Sequence, residues 1–305
     1  SATCQPFGSG TVSVQLTSGD GPKTVNVVVH DGAGNPSSSL GDSIDLDTTA
    51  PVVTSVALAK GADFVNTAQV GLSVTATDTG GTGVVAMAID DQPAGFGAYA
   101  PYVTSQQHGL SPGDGLKVVG VKVRDLAGNE SATVTDSVTL DTAAPTATLS
   151  INAGATYAKS QTVQLTVTPS AGGSPVASYC AKSTSTAPAD ATDACWLPLT
   201  GTPSFQLAPG DGPKTVFVWV MDAATNFGSA PASTSITLDQ TAPTVDVAGA
   251  QLGIATGKPF TNLSSPTFDN AASDATSGLA QVCTGPVSPP TNCAPYSASP
   301  TVALT

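Results

Sequence analysis

Valine occupies one parity of three separate stretches of this chain: Val25, Val27 and Val29, then Val119, Val121 and Val123, then Val216, Val218 and Val220. Alternation of period two with β-branched residues on one side predicts strands that turn one face to a core. The opposite parity carries Asn26 and His30 in the first stretch and Lys122 and Arg124 in the second, which predicts a solvent face. A following strand repeats the logic with Ile44 and Leu46, with Val138 and Leu140, and with Ile236 and Leu238. Upstream, Val70 to Thr77 and Thr162 to Thr168 alternate in the same way, each ahead of a Gly-rich turn.

Each valine stretch sits in one frame: Gly-Asp-Gly, a strand, Asp-x-x-x-Asn, a second strand, then Asp-x-x-Ala-Pro. The copies run over 19–51, 113–145 and 210–243, so the frame recurs about every 95 residues, one domain per repeat. Roughly seven strands per period, separated by turn signals about every 8–12 residues, predict antiparallel β-sandwiches of immunoglobulin or fibronectin III-like type. The expected division is 1–51 as the C-terminal part of a repeat, 52–145 and 146–243 as complete repeats, and 244–305 as the N-terminal part of a fourth. The repeat is out of phase with both ends, which predicts a window on a longer polypeptide. Linkers as short as Asp47-Thr-Thr-Ala-Pro51, with a proline that fixes φ, predict sandwiches arranged end to end.

Composition supports strands over helices and narrows the partners. Only 10% of residues are charged, and 21 of the 22 acidic ones are Asp, Glu130 being the exception. Asp, Gly, Pro and Asn suit turns, and Thr and Val suit strands. A net charge of −13 offers no basic patch for a phosphate backbone, so no nucleic-acid partner is expected. No apolar run approaches the length of a membrane span. Catalysis is not expected either: His30 sits at an outward strand position, His108 in a predicted loop, and no nucleophile–base spacing accompanies them. The Gly-Asp-Gly elements read as tight turns in which Gly supplies positive φ and Asp caps the backbone. The sequons at Asn129 and Asn262 predict exposed loops.

The segments GDGPKTVNVVVHDGAGN, GDGLKVVGVKVRDLAGNESATVTDSVTLDTAAP and GDGPKTVFVWVMDAATN resemble the final strands of bacterial immunoglobulin-like repeats. Those are tandem domains of very large secreted and surface-anchored proteins, and the resemblance covers nearly the whole chain. It implies an extracellular or cell-surface location in a bacterium and a structural or adhesive role as a stalk, fibre or adhesin segment. Alternatives are a carbohydrate-binding accessory array of a secreted enzyme, or a self-polymerising filament subunit. Neighbouring domains of the chain, other copies of it or a surface filament would then be the partners. The third copy departs from the pattern, reading Asp222-Ala-Ala-Thr-Asn226 without the usual Gly.

Three sets of residues carry candidate chemistry. Cys180 with Cys195 and Cys283 with Cys293 lie in matching places of successive repeats, which predicts two local disulfides and agrees with export. Cys4 corresponds to Cys195, so its expected partner lies upstream; zinc is disfavoured by the spacings and by the presence of only two histidines. In a sandwich of alternating strands, Asp47, Asp78, Asp125 and Asn129 gather at one pole. Several oxygen donors at a domain junction suit Ca²⁺, and repeats resembling these often use calcium to stiffen linkers; the competing expectation is turn chemistry without metal. The third copy offers Pro169 and Ser170 in place of Asp78. Finally, Phe217, Trp219 and Met221 form an apolar stripe on the predicted outward face. Such a stripe needs a cover, from the same domain or from an interface.

Overall fold

The computed structural model describes residues 5–6, 8, 10–91, 95–246, 253–254, 268–269, 271–284 and 292–295. Cys4 and Asn262 lie outside them. The chain divides into two compact units, Ser1–Ala143 and Ala144–Thr305.

In the first unit, β1 (Gly21–Val27) and β2 (Leu40–Leu46) form an antiparallel hairpin. A complete sandwich follows: β3 (Val52–Leu58), β4 (Phe64–Val65), β5 (Gln69–Thr77), β6 (Val84–Asp90), β7 (Ala100–Pro101), β8 (Ser105–Gly109), β9 (Gly115–Asp125) and β10 (Val134–Leu140). Its two sheets are β3-β5-β8 and β4-β10-β9-β6-β7. The second unit repeats the plan with β11 (Thr146–Ile151), β12 (Tyr157–Ala158), β13 (Thr162–Ser170), β14 (Val176–Lys182), β15 (Leu197–Pro198), β16 (Ser204–Gln206), β17 (Gly212–Asp222) and β18 (Ala232–Leu238). The sheets are β11-β13-β16 and β12-β18-β17-β14-β15. Short antiparallel pairs come after it: Thr244–Asp246 with Ala271–Ser273, Gly253–Ile254 with Phe268–Asp269, and Gln281–Thr284 with Asn292–Pro295.

The valine parity is the core parity. Val119, Val121 and Val123 are buried with Leu58, Leu72 and Val138, and Val216, Val218 and Val220 with Leu165, Ile236 and Leu238. A one-residue slip would turn all of these to the other face, so the register is strongly specified. The first copy differs. Val27 is 57% and Ile44 60% exposed, because among the described residues no second sheet packs on the β1–β2 hairpin.

Each complete repeat has eight strands rather than seven. After β3 the chain runs through Ala59-Lys60-Gly61, all three at positive φ, and crosses to the other sheet, where β4 pairs parallel with β10. Asn152-Ala153-Gly154 does the same ahead of β12, which pairs parallel with β18. His108 is on β8, paired with Val70, rather than in a loop. Lys122 and Arg124 are half-buried rather than fully solvated: Lys122 Nζ lies 5.0 Å from the Phe96 ring centroid and Arg124 Cζ 3.8 Å from that of Tyr99. The aromatic rings of the segment between β6 and β7 thus roof the outer face of the sheet.

The Asp-x-x-x-Asn loop keeps one geometry in all three copies. Asp31, Asp125 and Asp222 each accept, through the side chain, the backbone N–H and side-chain amide of Asn35, Asn129 and Asn226. Where the first two loops place Gly34 and Gly128 at positive φ, the third places Thr225 at φ 70°. A β-branched residue is strained there. Thr225→Gly should therefore stabilise this repeat by about 1 kcal/mol in chemical denaturation, the relieved strain exceeding the added chain entropy.

Candidate functional site

The repeated motifs meet at the linker. Gly19 and Gly21, at φ 87° and 107°, hold the Gly-Asp-Gly turn that aims Asp20 away from its own backbone. Its carboxylate accepts the N–H (3.0 Å) and hydroxyl (2.8 Å) of Thr48 and the hydroxyl of Thr49 (2.6 Å). The same bond joins the other copies: the Thr142 hydroxyl donates to Asp114, and the Gln240 N–H and Thr241 hydroxyl donate to Asp211. The Asp of the first motif is thus a clasp on the last motif of the same repeat, some 28 residues on, a partnership beyond the local cap expected of it.

From the other side the following sandwich grips the same linker. Asp47 accepts the N–H of Thr49 (3.0 Å) and both the N–H and hydroxyl of Thr82 (2.7 Å each). The Thr82 hydroxyl also accepts the N–H of Ala127, so one side chain ties the linker, the β5–β6 loop and the β9–β10 loop together. Asn129 completes the grip, its amide donating to the carbonyls of Asp47 (3.1 Å) and Thr49 (3.4 Å) and to Asp125 (2.8 Å). In the third copy Ser174 stands where Thr82 does, fully buried, and accepts the N–H of Ala224.

Thr49 and Thr48 hold the Asp20 carboxyl below the usual carboxylate value, and the Thr82 hydroxyl does the same for Asp47. A depressed carboxylate contributes stability that is fully present above the ordinary carboxylate range and is lost as pH falls through the depressed value. The clasps therefore persist at neutral pH and open in acid.

The expected acidic cluster assembles. Asp47, Asp78 and Asp125 each offer an oxygen, and these lie within 4.8 Å of one another; Asp47 and Asp125 are buried. Asp78 Oδ2 accepts the N–H of Gly83, while its Oδ1 is buried with no hydrogen-bond partner. A side chain on Gly81 would collide with that carboxylate. An orphaned carboxylate oxygen beside two further carboxylates is a hard, all-oxygen donor set of the kind Ca²⁺ takes. Asn129 lies at the same pole, its side-chain nitrogen donating to Asp125 and to the linker carbonyls. It turns amide hydrogens toward the cluster, because the linker carbonyls and Asp125 need donors. The same bonds occupy the side-chain nitrogen that its sequon would offer.

The cysteines are bonded as Cys180–Cys195 and Cys283–Cys293. Cys180 lies on β14 directly opposite Trp219 on β17, so the first bridge draws residues 183–196 across the outer face of the sheet. Trp219 and Met221 are buried within their own unit and Phe217 is half-buried. Lys182 Nζ lies 5.9 Å from the Trp219 ring centroid, and Trp196 packs edge-on against Phe227 at 5.2 Å. Trp219 and Met221 of the apolar stripe are therefore covered, and Phe217 is partly so. The missed signal was Cys180 itself, on the same face as the stripe.

No protein-family model matches the chain, and no curated protein matches it. Among solved structures it is similar to the fibronectin(III)-like modules of Clostridium thermocellum CbhA, at 9% identity over 60% of this chain and 93% of that one, TM-score 0.35. It is similar to a tetra-tandem repeat in the extending region of a large adhesion protein, at 19% identity over 93% and 74%, TM-score 0.26. A 1.5-MDa bacterial ice-binding adhesin is similar at 18% identity over 73% and 76%, TM-score 0.35. The all-β class rests on the sheets themselves. Among the described residues no helix is long and apolar enough to cross a membrane.

Proposed function

We propose that the chain is a spacer segment of an extracellular bacterial surface protein or fibre, its linker at 47–51 acting as a fixed joint between the hairpin before it and the sandwich after it. The observation that carries this reading is the linker at 47–51, gripped from the preceding hairpin by Asp20 and from the following sandwich by Thr82 and Asn129. A flexible tether needs none of these bonds. The two disulfides suit an oxidising, extracytoplasmic setting. Limited proteolysis tests the joint: the linker should resist cleavage in the wild type and become the first site cut in an Asp20→Ala, Asp47→Ala double variant. Equal cleavage in both would remove the joint.

Calcium belongs to the same proposal. Asp47, Asp78 and Asp125 would hold it, neutralising three carboxylates that otherwise repel and giving Asp78 Oδ1 the partner it lacks. Ca²⁺ should raise the melting temperature of the first unit relative to chelator, and Asp78→Asn should abolish the response while leaving the metal-free protein at least as stable. A wild-type melting curve indifferent to Ca²⁺ would contradict the metal and leave the hydrogen-bonded joint standing.

A further inference from the structure

We infer that an open cavity in the second unit is a binding site for a neutral sugar residue. The cavity, of about 530 Å³, is lined by Asn152, Tyr157, Lys159, Ser160, Asp239 and Ser277, all within Ala144–Thr305. That volume lies in the range of small-molecule sites. β12 and the turn before it form one wall, the residue that follows β18 a second, and Ser277 approaches from the loop after Ala271–Ser273.

The two complete repeats build the first wall alike and furnish it differently. Phe64 stands opposite Thr139 on β10 and Tyr157 opposite Thr237 on β18, so the two positions are equivalent, and with them Ala59 and Asn152, and Asn66 and Lys159. Phe64 is half-buried, whereas Tyr157 is 47% exposed. At three equivalent positions the second repeat therefore gains an amide, a phenol on an exposed ring and an ammonium. The fold does not require them, because the backbone bonds that flank the strand pairing are the same in both repeats: Thr139 N–H to the Asp63 carbonyl and Asp141 N–H to that of Val65, then Thr237 N–H to the Thr156 carbonyl and Asp239 N–H to that of Ala158.

The polar groups are fixed in place and keep bonding capacity. Asn152 Oδ1 accepts the N–H of Gln164 at 2.9 Å, which leaves its amide nitrogen to donate elsewhere. Ser160 Oγ accepts the N–H of Thr162 at 3.2 Å and keeps its own hydrogen to donate. Asp239 is held by its N–H and accepts the N–H of Thr241 through Oδ1 at 3.2 Å; Lys159 forms no ion pair among the described residues. The C–H face of a pyranose is apolar and lies flat on an aromatic ring, here Tyr157. Its hydroxyls both donate and accept, so they can donate to the second oxygen of Asp239 and accept from Lys159 and Asn152. One ammonium and one carboxylate balance, and a ligand with a carboxylate of its own would be repelled by Asp239. The site goes beyond the spacer reading and uses no residue of the joint at 47–51.

Saturation-transfer NMR of the 305-residue chain tests it, with the methyl glycosides of D-glucose, D-galactose and D-mannose and with methyl D-glucuronide as probes. At least one neutral glycoside should receive saturation, strongest on the C–H protons of one ring face, and the glucuronide should receive less. Tyr157→Ala should abolish the transfer. Lys159→Asn, which installs the residue of the equivalent first-repeat position, should weaken binding about tenfold, as for loss of a hydrogen bond to a charged group. Both side chains are exposed, so the melting temperature of either variant should match the wild type. Asn66→Ala, at the position equivalent to Lys159, should leave the transfer unchanged. No transfer to any of the three neutral glycosides, stronger transfer to the glucuronide, or wild-type transfer in a folded Tyr157→Ala or Lys159→Asn variant would overturn the site. Failure of the proteolysis or calcium tests would leave these outcomes untouched.

Discussion

Trp219→Ala should destabilise the second complete repeat by about 3–5 kcal/mol, the range for truncating a fully buried tryptophan. Only 2% of Trp219 is exposed, and its indole N–H reaches the Ser229 carbonyl at 3.4 Å. The ring is sealed by Lys182, by Cys180 opposite it, and by the loop that returns to Cys195, so its removal leaves a cavity under a tethered cover. The two tryptophans of the chain, Trp196 and Trp219, both belong to this repeat, and Trp196 survives as the fluorescent reporter in the variant. Chemical denaturation followed at Trp196 should show the loss, while sedimentation shows unchanged self-association. The reverse result, unchanged stability with altered association, would restore the stripe to the surface as an interface.

Removing the Cys180–Cys195 bridge is the second large effect. Opening a closed loop of 15 residues costs about 3 kcal/mol in the chain-entropy account. Cys180→Ala with Cys195→Ser avoids leaving a hydroxyl at the buried position. Residual order should persist in the loop, because Asp193 still accepts the N–H groups of Ala189 and Cys195 and lies 3.6 Å from the Lys182 ammonium. Reductant should accordingly lower the melting temperature of this repeat and raise quenching of Trp219 by acrylamide, and leave the cysteine-free repeat 52–141 unmoved. Coincident shifts of both repeats would mean that the bridge does not act locally.

Strand identity and register were legible in the sequence wherever β-branched residues alternated over several positions, as in Val119, Val121 and Val123, because parity alone decides which face meets the core. The gathering of Asp47, Asp78 and Asp125 was legible from topology, since alternating strands send those three positions to one pole. What escaped was set by long-range contact or by unusual backbone. Nothing in Ala59-Lys60-Gly61 advertises three successive residues at positive φ, as only the last is Gly. The cover over Lys122 and Arg124 comes from Phe96 and Tyr99, on a loop with no periodicity to place it. Asn129 was legible as a polar residue at the pole, yet its role as donor depends on linker carbonyls 80 and more residues away. The clasp from Asp20 to Thr48 and Thr49 left one trace: Gly-Asp-Gly and Asp-x-x-Ala-Pro always recur together.

The central claim is that the linker is a structured joint, and amide hydrogen exchange at Thr48, Thr49 and Thr82 tests it most directly. Those N–H groups donate to Asp20 Oδ1, Asp47 Oδ1 and Asp47 Oδ2 respectively. At neutral pH in chelator all three should be protected well beyond an exposed loop. Asp47→Ala should release Thr49 and Thr82 together, and Asp20→Ala should release Thr48, with the amides of β9 unaffected in both. Exchange of the three wild-type amides at the rate of an unstructured peptide, with β9 fully protected, would contradict the joint and make 47–51 a flexible tether.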